Sequence, residues 1–399
     1  MTTTAEQLRT YQGPALFSFG FRPFFLSAAI WAALAVPVWL ATYLVGPVTT
    51  PFETGLVWHV HEMVFGYGAA VVAGFLLTAI PNWTGRLPVS GMPLVLLWLL
   101  WCAGRLAFTL EPVPDPLGAL IESAFLICFA ALVWREVIAG RNTRNLKVAG
   151  AVSVFAAANV AFHILHAQTG GLPNVAIETG LATLLFLILL IGGRITPSFT
   201  RNWLAKRGHD RFPAPFSTFD AGVLIVSLGA LIVWILPLGA IPTGAGLVLA
   251  AALNLVRLAR WRGVATSAEP LVTILHIGYA WAVVAILLLG LNSLFPASVP
   301  RLAGLHAAGA GAIGVMTLAV MTRASLGHTG HGLTAGSGTL LAYLLINLAA
   351  LTRVGSTFFT APATNYGNQI SGVLWTGAFL TFCLVYGPRL VSARRTAAA

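Results

Sequence analysis

The stretch 58-WHVHEMVFGYGAAVVAGFLLTAIPNWTG-85 decides how this chain is read. Its apolar body, residues 57–80, is long enough to cross a membrane, since about 20 residues of helix span a hydrocarbon core of ~30 Å. It nevertheless opens with His59, His61 and Glu62, and ionisable groups in hydrocarbon need a reason. Eleven further apolar runs surround it, at about 24–46, 92–110, 116–139, 147–168, 174–195, 218–237, 240–261, 268–291, 301–323, 337–355 and 370–388. The connections are short. The expected fold is therefore all-α: a polytopic bundle of twelve transmembrane helices, with residues 1–399 forming one integral membrane domain.

Composition agrees. Of 399 residues, 58% are hydrophobic and only 8% charged, and the mean hydropathy is +0.86; no soluble domain of this size has such a balance. The first 20 residues are mixed and polar, so no cleavable signal is expected and the first span is read as a retained anchor. The net charge of +11 is a matter of topology rather than of nucleic-acid binding. When the chain is threaded through twelve spans, Lys and Arg collect on one side. Arg301 and Arg353 alone fall opposite, and Arg105 lies within a span. The positive-inside rule then places both termini in the cytoplasm. The three cysteines, Cys102, Cys128 and Cys383, lie inside spans without CxxC spacing and read as small core residues. Much of the abundant glycine also lies in spans, where it lets helices approach closely. The loop at about 196–217 separates two halves of six spans that show no sequence repeat.

Five histidines, His59, His61, His163, His166 and His306, come from three separate spans and thread to the same outer edge of the membrane. As a group they read as a metal or haem site. His59 and His61 are about 200° apart on a helix, so they face different neighbours unless the helix is irregular there. His59 and Glu62 share a face. In 159-NVAFHILHAQ-168, His163 and His166 share a face with Asn159 one turn below, a spacing that can present both imidazoles to one metal or divide them between a haem and a second metal. Glu62 and Glu178, at the same depth, are candidates for carrying protons. Arg105 either pairs with Glu122 or, like Arg301, neutralises haem propionates.

Towards the inner side, His276 in 273-TILHIGYAW-281 lies near mid-membrane with Tyr279 at i+3, suited to a proton path, an axial ligand or plain packing. His328 and His331 sit among glycines in 321-MTRASLGHTGHG-332, where the helix is expected to end; such a loop could bind a metal or quinone head group, or be a plain solvated loop. His209, beside Asp210 in the basic loop, reads as a solvated surface residue.

Five segments carry a resemblance: 19-FGFRPFFL-26, the second-span motif 58–85, 194-RITPSFTRN-202, 275-LHIGYAW-281 and 317-TLAVMTRASLGHTGH-331. Together they make the chain resemble the NnrS family of bacterial membrane proteins. His59, His61 and Glu62 fall in the most specific of these motifs; His276, His306 and His328 fall in or beside others. The resemblance implies a twelve-span protein of the bacterial inner membrane that holds haem b and copper and works in nitric oxide metabolism or resistance to nitrosative stress. Candidate metal ligands are His59, His61, His163, His166, His306 and His328, with His59, His163, His276, Arg105 and Arg301 as haem contacts. On this reading the protein consumes nitric oxide, reducing it to nitrous oxide. There is no CxxCH haem-attachment motif, so electrons would come from quinol or another membrane donor. Two other readings are a haem or copper protein that binds nitric oxide or shields metal centres without turnover, and a transporter of a metal or metal complex.

Overall fold

The computed structural model describes residues 10–45, 55–109, 115–236 and 238–395. Twelve long helices account for nearly all of them: α1 (Phe21–Val45), α2 (Gly55–Thr84), α3 (Met92–Ala107), α4 (Asp115–Ala139), α5 (Leu146–Thr169), α6 (Asn174–Lys206), α7 (Thr218–Ile235), α8 (Ala240–Ala259), α9 (Pro270–Leu294), α10 (Arg301–His328), α11 (Ser337–Ser356) and α12 (Ala363–Val391). Among the described residues, eleven of these are long and apolar enough to cross a membrane, and α3, at 16 residues, is shorter. Large apolar side chains such as Leu96, Leu120, Ile225, Val373 and Leu384 point outward. That is the arrangement lipid requires: each helix satisfies its own backbone and turns apolar groups to the hydrocarbon.

The chain forms two compact units. Unit 1 comprises Met1–Thr183, Met321–Gly332 and Phe379–Ala399; unit 2 comprises Leu184–Val320 and Leu333–Ala378. In unit 1, α2 packs on α1 and α4, and α4 packs on α3 and α5. Aromatic rings fill the spaces between these helices. Phe21, Phe24 and Phe25 of α1 are fully buried, Phe24 meets Phe125 at 5.7 Å between centroids, and Phe65 meets Phe155 at 5.3 Å. Unit 2 is built around α9, which packs on α8 and α10. Gly278 lies against the Met316 backbone, and Gly304 against the Leu289 backbone, so these helices approach as closely as small residues permit.

Among the described residues, three helices contain π-helical segments: Glu62–Gly68 in α2, Ile188–Gly192 in α6 and Ala307–Ile313 in α10. Such segments re-aim side chains along an otherwise regular helix and often mark functional positions. Helix ends follow local chemistry. Gly85, at φ +69°, closes α2 in the left-handed conformation that glycine adopts without strain. Ser217 and Asp220 form a capping box at the start of α7.

Several boundaries differ from the hydropathy reading. The sixth span, expected to end near 195, continues as helix to Lys206. Thr196, Thr200 and Leu204 form a buried i, i+4, i+8 stripe there, while Arg201, Asn202 and Lys206 face outward. A hydropathy window averages the two faces and stops too soon. α10 runs on to His328 for the same reason.

Candidate metal centre

In unit 1 the ends of four helices bring six polar side chains to one buried place. The π segment of α2 begins directly after His61, and both His61 and Glu62 are 0% exposed. Arg105 comes from the last turn of α3, Glu122 from the second turn of α4, and Asn159 and His163 from successive turns near the end of α5. Because these helices alternate in direction, residues near the start of α2 and α4 and near the end of α3 and α5 reach the same depth.

The hydrogen bonding converges on Glu122, which is 1% exposed. Its Oε1 accepts from Arg105 Nη2. Its Oε2 accepts from Asn159 Nδ2 at 2.6 Å, and lies 3.0 Å from His163 Nε2 and 3.4 Å from His61 Nε2. His61 is held from both sides: Nδ1 is 3.0 Å from Glu62 Oε1, and Nε2 is 3.1 Å from Asn159 Oδ1. Arg105 Nη1 also faces Glu62 Oε2 at 3.3 Å. Rings enclose the group. Phe108 and Phe162 lie 4.2 and 4.9 Å from the His61 ring, and Trp101 lies beneath the Arg105 guanidinium at 5.6 Å. Charges so removed from water are tolerated only when they are paired and hydrogen-bonded. Here two carboxylates share one arginine, with imidazoles and an amide taking up the remaining oxygens.

The His61, Glu122 and His163 ligand atoms all lie within 4.8 Å of one another. Two imidazoles and a carboxylate are a donor set that suits copper, zinc or iron. Glu62 on His61, and Asn159 and Arg105 on Glu122, are the outer-shell partners that orient such ligands.

The remaining sequence candidates lie elsewhere. His59 turns to α1, stacking on Trp39 at 4.4 Å, so it and His61 do indeed face different neighbours. His166 bonds through Nδ1 to Gly171 O at 2.9 Å. Glu178, near the start of α6, is not among the converging ligand atoms. His328, in unit 1, packs against Phe19 and Phe21 at 5.4 Å from each. In unit 2, His306 bonds to Leu302 O one turn back, and Arg301 is the exposed first residue of α10. His276 Nε2 meets Thr200 Oγ1 at 2.8 Å.

A haem does not fit at the cluster. There the His61 ring is covered by Phe108 and Phe162, leaving no plane for a macrocycle. At His276, Thr200 covers Nε2, while Nδ1 makes no hydrogen bond and faces the bare side of Gly263.

Unit 2 holds a second buried network. Arg257, which the threading counts with the basic side, is 0% exposed. Its Nε donates to Asp220 at 3.0 Å, and its Nη1 donates to Leu189 O in the α6 π segment at 2.9 Å and to Tyr279 Oη at 3.0 Å. Tyr279 in turn donates to Asn254 at 2.6 Å. The charge is neutralised inside the protein rather than by water. The one sequence signal for it was an arginine preceded by asparagine inside an apolar run.

Fold and site together define a polytopic helical membrane protein with a buried imidazole–carboxylate cluster. The chain belongs to the NnrS family, whose profile, described as NnrS protein, matches residues 15–394. Family membership makes it a nitric oxide-related membrane protein of a family known for haem and copper. No curated protein matches it significantly.

Proposed function

We propose that this protein consumes nitric oxide at a copper ion bound by His61, Glu122 and His163, in the outer half of the bacterial inner membrane. The convergence of those three ligand atoms within 4.8 Å, with His61 and Glu122 buried, carries the reading. When bound, copper supplies an open position for nitric oxide and a one-electron couple. The rest falls to the protein's own side chains. Glu62 holds His61 Nδ1 and so leaves Nε2 to face Glu122 and His163. Asn159 fixes the separation of His61 from Glu122. Arg105 pairs with Glu122 and orients it. The phenylalanine walls exclude water while admitting a small apolar gas, which partitions from lipid. Glu62 is the carboxylate placed to pass protons. The overall conversion takes two nitric oxide molecules, two electrons and two protons to nitrous oxide and water, with electrons from quinol or another membrane donor.

The tight enclosure favours a second reading, in which nitric oxide binds without turnover. One experiment separates the two: nitric oxide consumption by purified, copper-loaded protein under reductant, wild type against Glu62→Gln and His163→Ala. Consumption lost in both variants supports the reductase. Binding without consumption in the wild type, unchanged in Glu62→Gln, supports the second reading. Wild-type protein that binds neither copper nor nitric oxide overturns both.

A further inference from the structure

Four buried polar atoms on the far side of the cluster make no hydrogen bond: Trp31 Nε1, Glu62 Oε2, Arg105 Nη1 and Arg105 Nε. Three of them converge. A Cβ placed on Gly66 would meet Glu62 Oε2 at 2.6 Å and Trp31 Nε1 at 3.2 Å, with Arg105 Nη1 nearer still. All three therefore lie within 3.2 Å of one point, on the bare face of a glycine that the π segment turns toward α1 and α3. Two hydrogen bonds end to end span about 5.8 Å, so one small molecule can reach all three. Arg105 Nη1 and Glu62 Oε2 face each other at 3.3 Å as an ion pair without a hydrogen bond, and Trp31 Nε1 has neither; a buried donor left without an acceptor costs about 1–3 kcal/mol, and buried groups of this kind are normally bridged by an internal molecule with two to four polar partners.

The geometry points to a binding site at Gly66 for a single water-sized protic molecule, held by Trp31, Arg105 and Glu62. The chemistry of the three atoms sets its class. Two are N–H donors and one is a carboxylate oxygen, so the occupant accepts two hydrogen bonds and donates one. Water does this. A bare anion does not, because Glu62 would repel it, and neither does a cation, because Arg105 would. The occupant shares both side chains with the cluster. By holding Glu62 Oε2 it keeps Oε1 on His61, and by holding Arg105 Nη1 it leaves Nη2 to Glu122. Trp31 and Gly66 become positioning residues for the carboxylates, a role neither shows in sequence. The site does not depend on copper, so the metal-free protein is the sample for its test.

Ultraviolet resonance Raman of metal-free wild type minus Trp31→Phe isolates the Trp31 indole. A hydrogen-bonded N–H frequency is expected; the frequency of a free indole overturns the site. High-resolution cryo-electron microscopy in nanodiscs then separates a bridging molecule from direct contact. Density within hydrogen-bond distance of all three atoms supports the proposal, and direct Trp31–Glu62 bonding without such density overturns it. Gly66→Ala should abolish the density and return Trp31 to the free frequency. If that variant does not fold, the wild-type arms still decide.

Discussion

Replacing Glu122 by Gln tests the cluster most directly. The substitution preserves shape and removes one charge from a place that is 1% exposed. Glu122 faces Arg105, Asn159, His163 and His61, all of which donate to it or can do so. Removing one partner of a buried ion pair costs about 3–5 kcal/mol, because the other charge is left uncompensated. Two features pull this case to the low end: glutamine retains an acceptor oxygen, and Glu62 Oε2 stays 3.3 Å from Arg105 Nη1 to share its charge. We expect about 3 kcal/mol, or roughly 6–12 °C in Tm for a cooperative unit of about 150–250 residues. Arg105→Met should be worse, about 5 kcal/mol, since it strands two buried carboxylates. The double variant should lose less than the two single losses combined, by about 2 kcal/mol, because both members of one pair are then gone. The assay is thermal unfolding of metal-free protein in detergent for the four forms of the cycle. If Glu122→Gln stays within about 1 °C of wild type and the two losses simply add, the pair does not form and the reasoning fails.

Other outcomes follow from the same geometry. Metal analysis of copper-loaded protein should show one equivalent lost in His61→Ala and His163→Ala but none in His306→Ala, while Asn159→Ala keeps the stoichiometry and weakens affinity about 10–100-fold. In unit 2, Tyr279→Phe removes a donor to Asn254 and an acceptor from Arg257, and unfolding measurements should record a loss of about 1–3 kcal/mol. Arg22 Nη1 donates to the carbonyls of Leu390 and Ser392 at 2.8 and 2.7 Å, so Arg22→Ala should expose the end of α12 to limited proteolysis while leaving the cluster's copper stoichiometry unchanged. Burial, with Arg395 and Arg389 nearby, holds the His331 imidazole below the usual 6.5. Its neutral form is therefore favoured in the folded state, and its contribution to stability, whole above about pH 6.5, declines as the pH falls through that value; an NMR titration of His331 giving a value at or above 6.5 would contradict this.

The apolar runs made the helices legible because hydrocarbon imposes a length and a composition on every span, and one helix registers that constraint without reference to its neighbours. Boundaries were less legible. The Thr196, Thr200 and Leu204 stripe is buried only because another part of unit 2 covers it, and no local average could detect that. The histidines show the same division. That imidazoles lay in apolar spans was plain, as was the chance of an Arg105–Glu122 pair. Which histidines meet was not, since proximity across helices depends on how each is rotated. The sequence by itself determined an all-helical membrane protein of the NnrS family with ionisable groups embedded in its spans. Only the tertiary structure decided that His61 and His163 share Glu122 while His59 turns to Trp39, that Arg257 is buried, and that Trp31 and Gly66 belong beside the carboxylates. The physical reason is that burial in lipid is a property of each segment alone, whereas ligand geometry depends on the rotation and close packing of several helices at once, including a π segment that no periodicity in the chain announces.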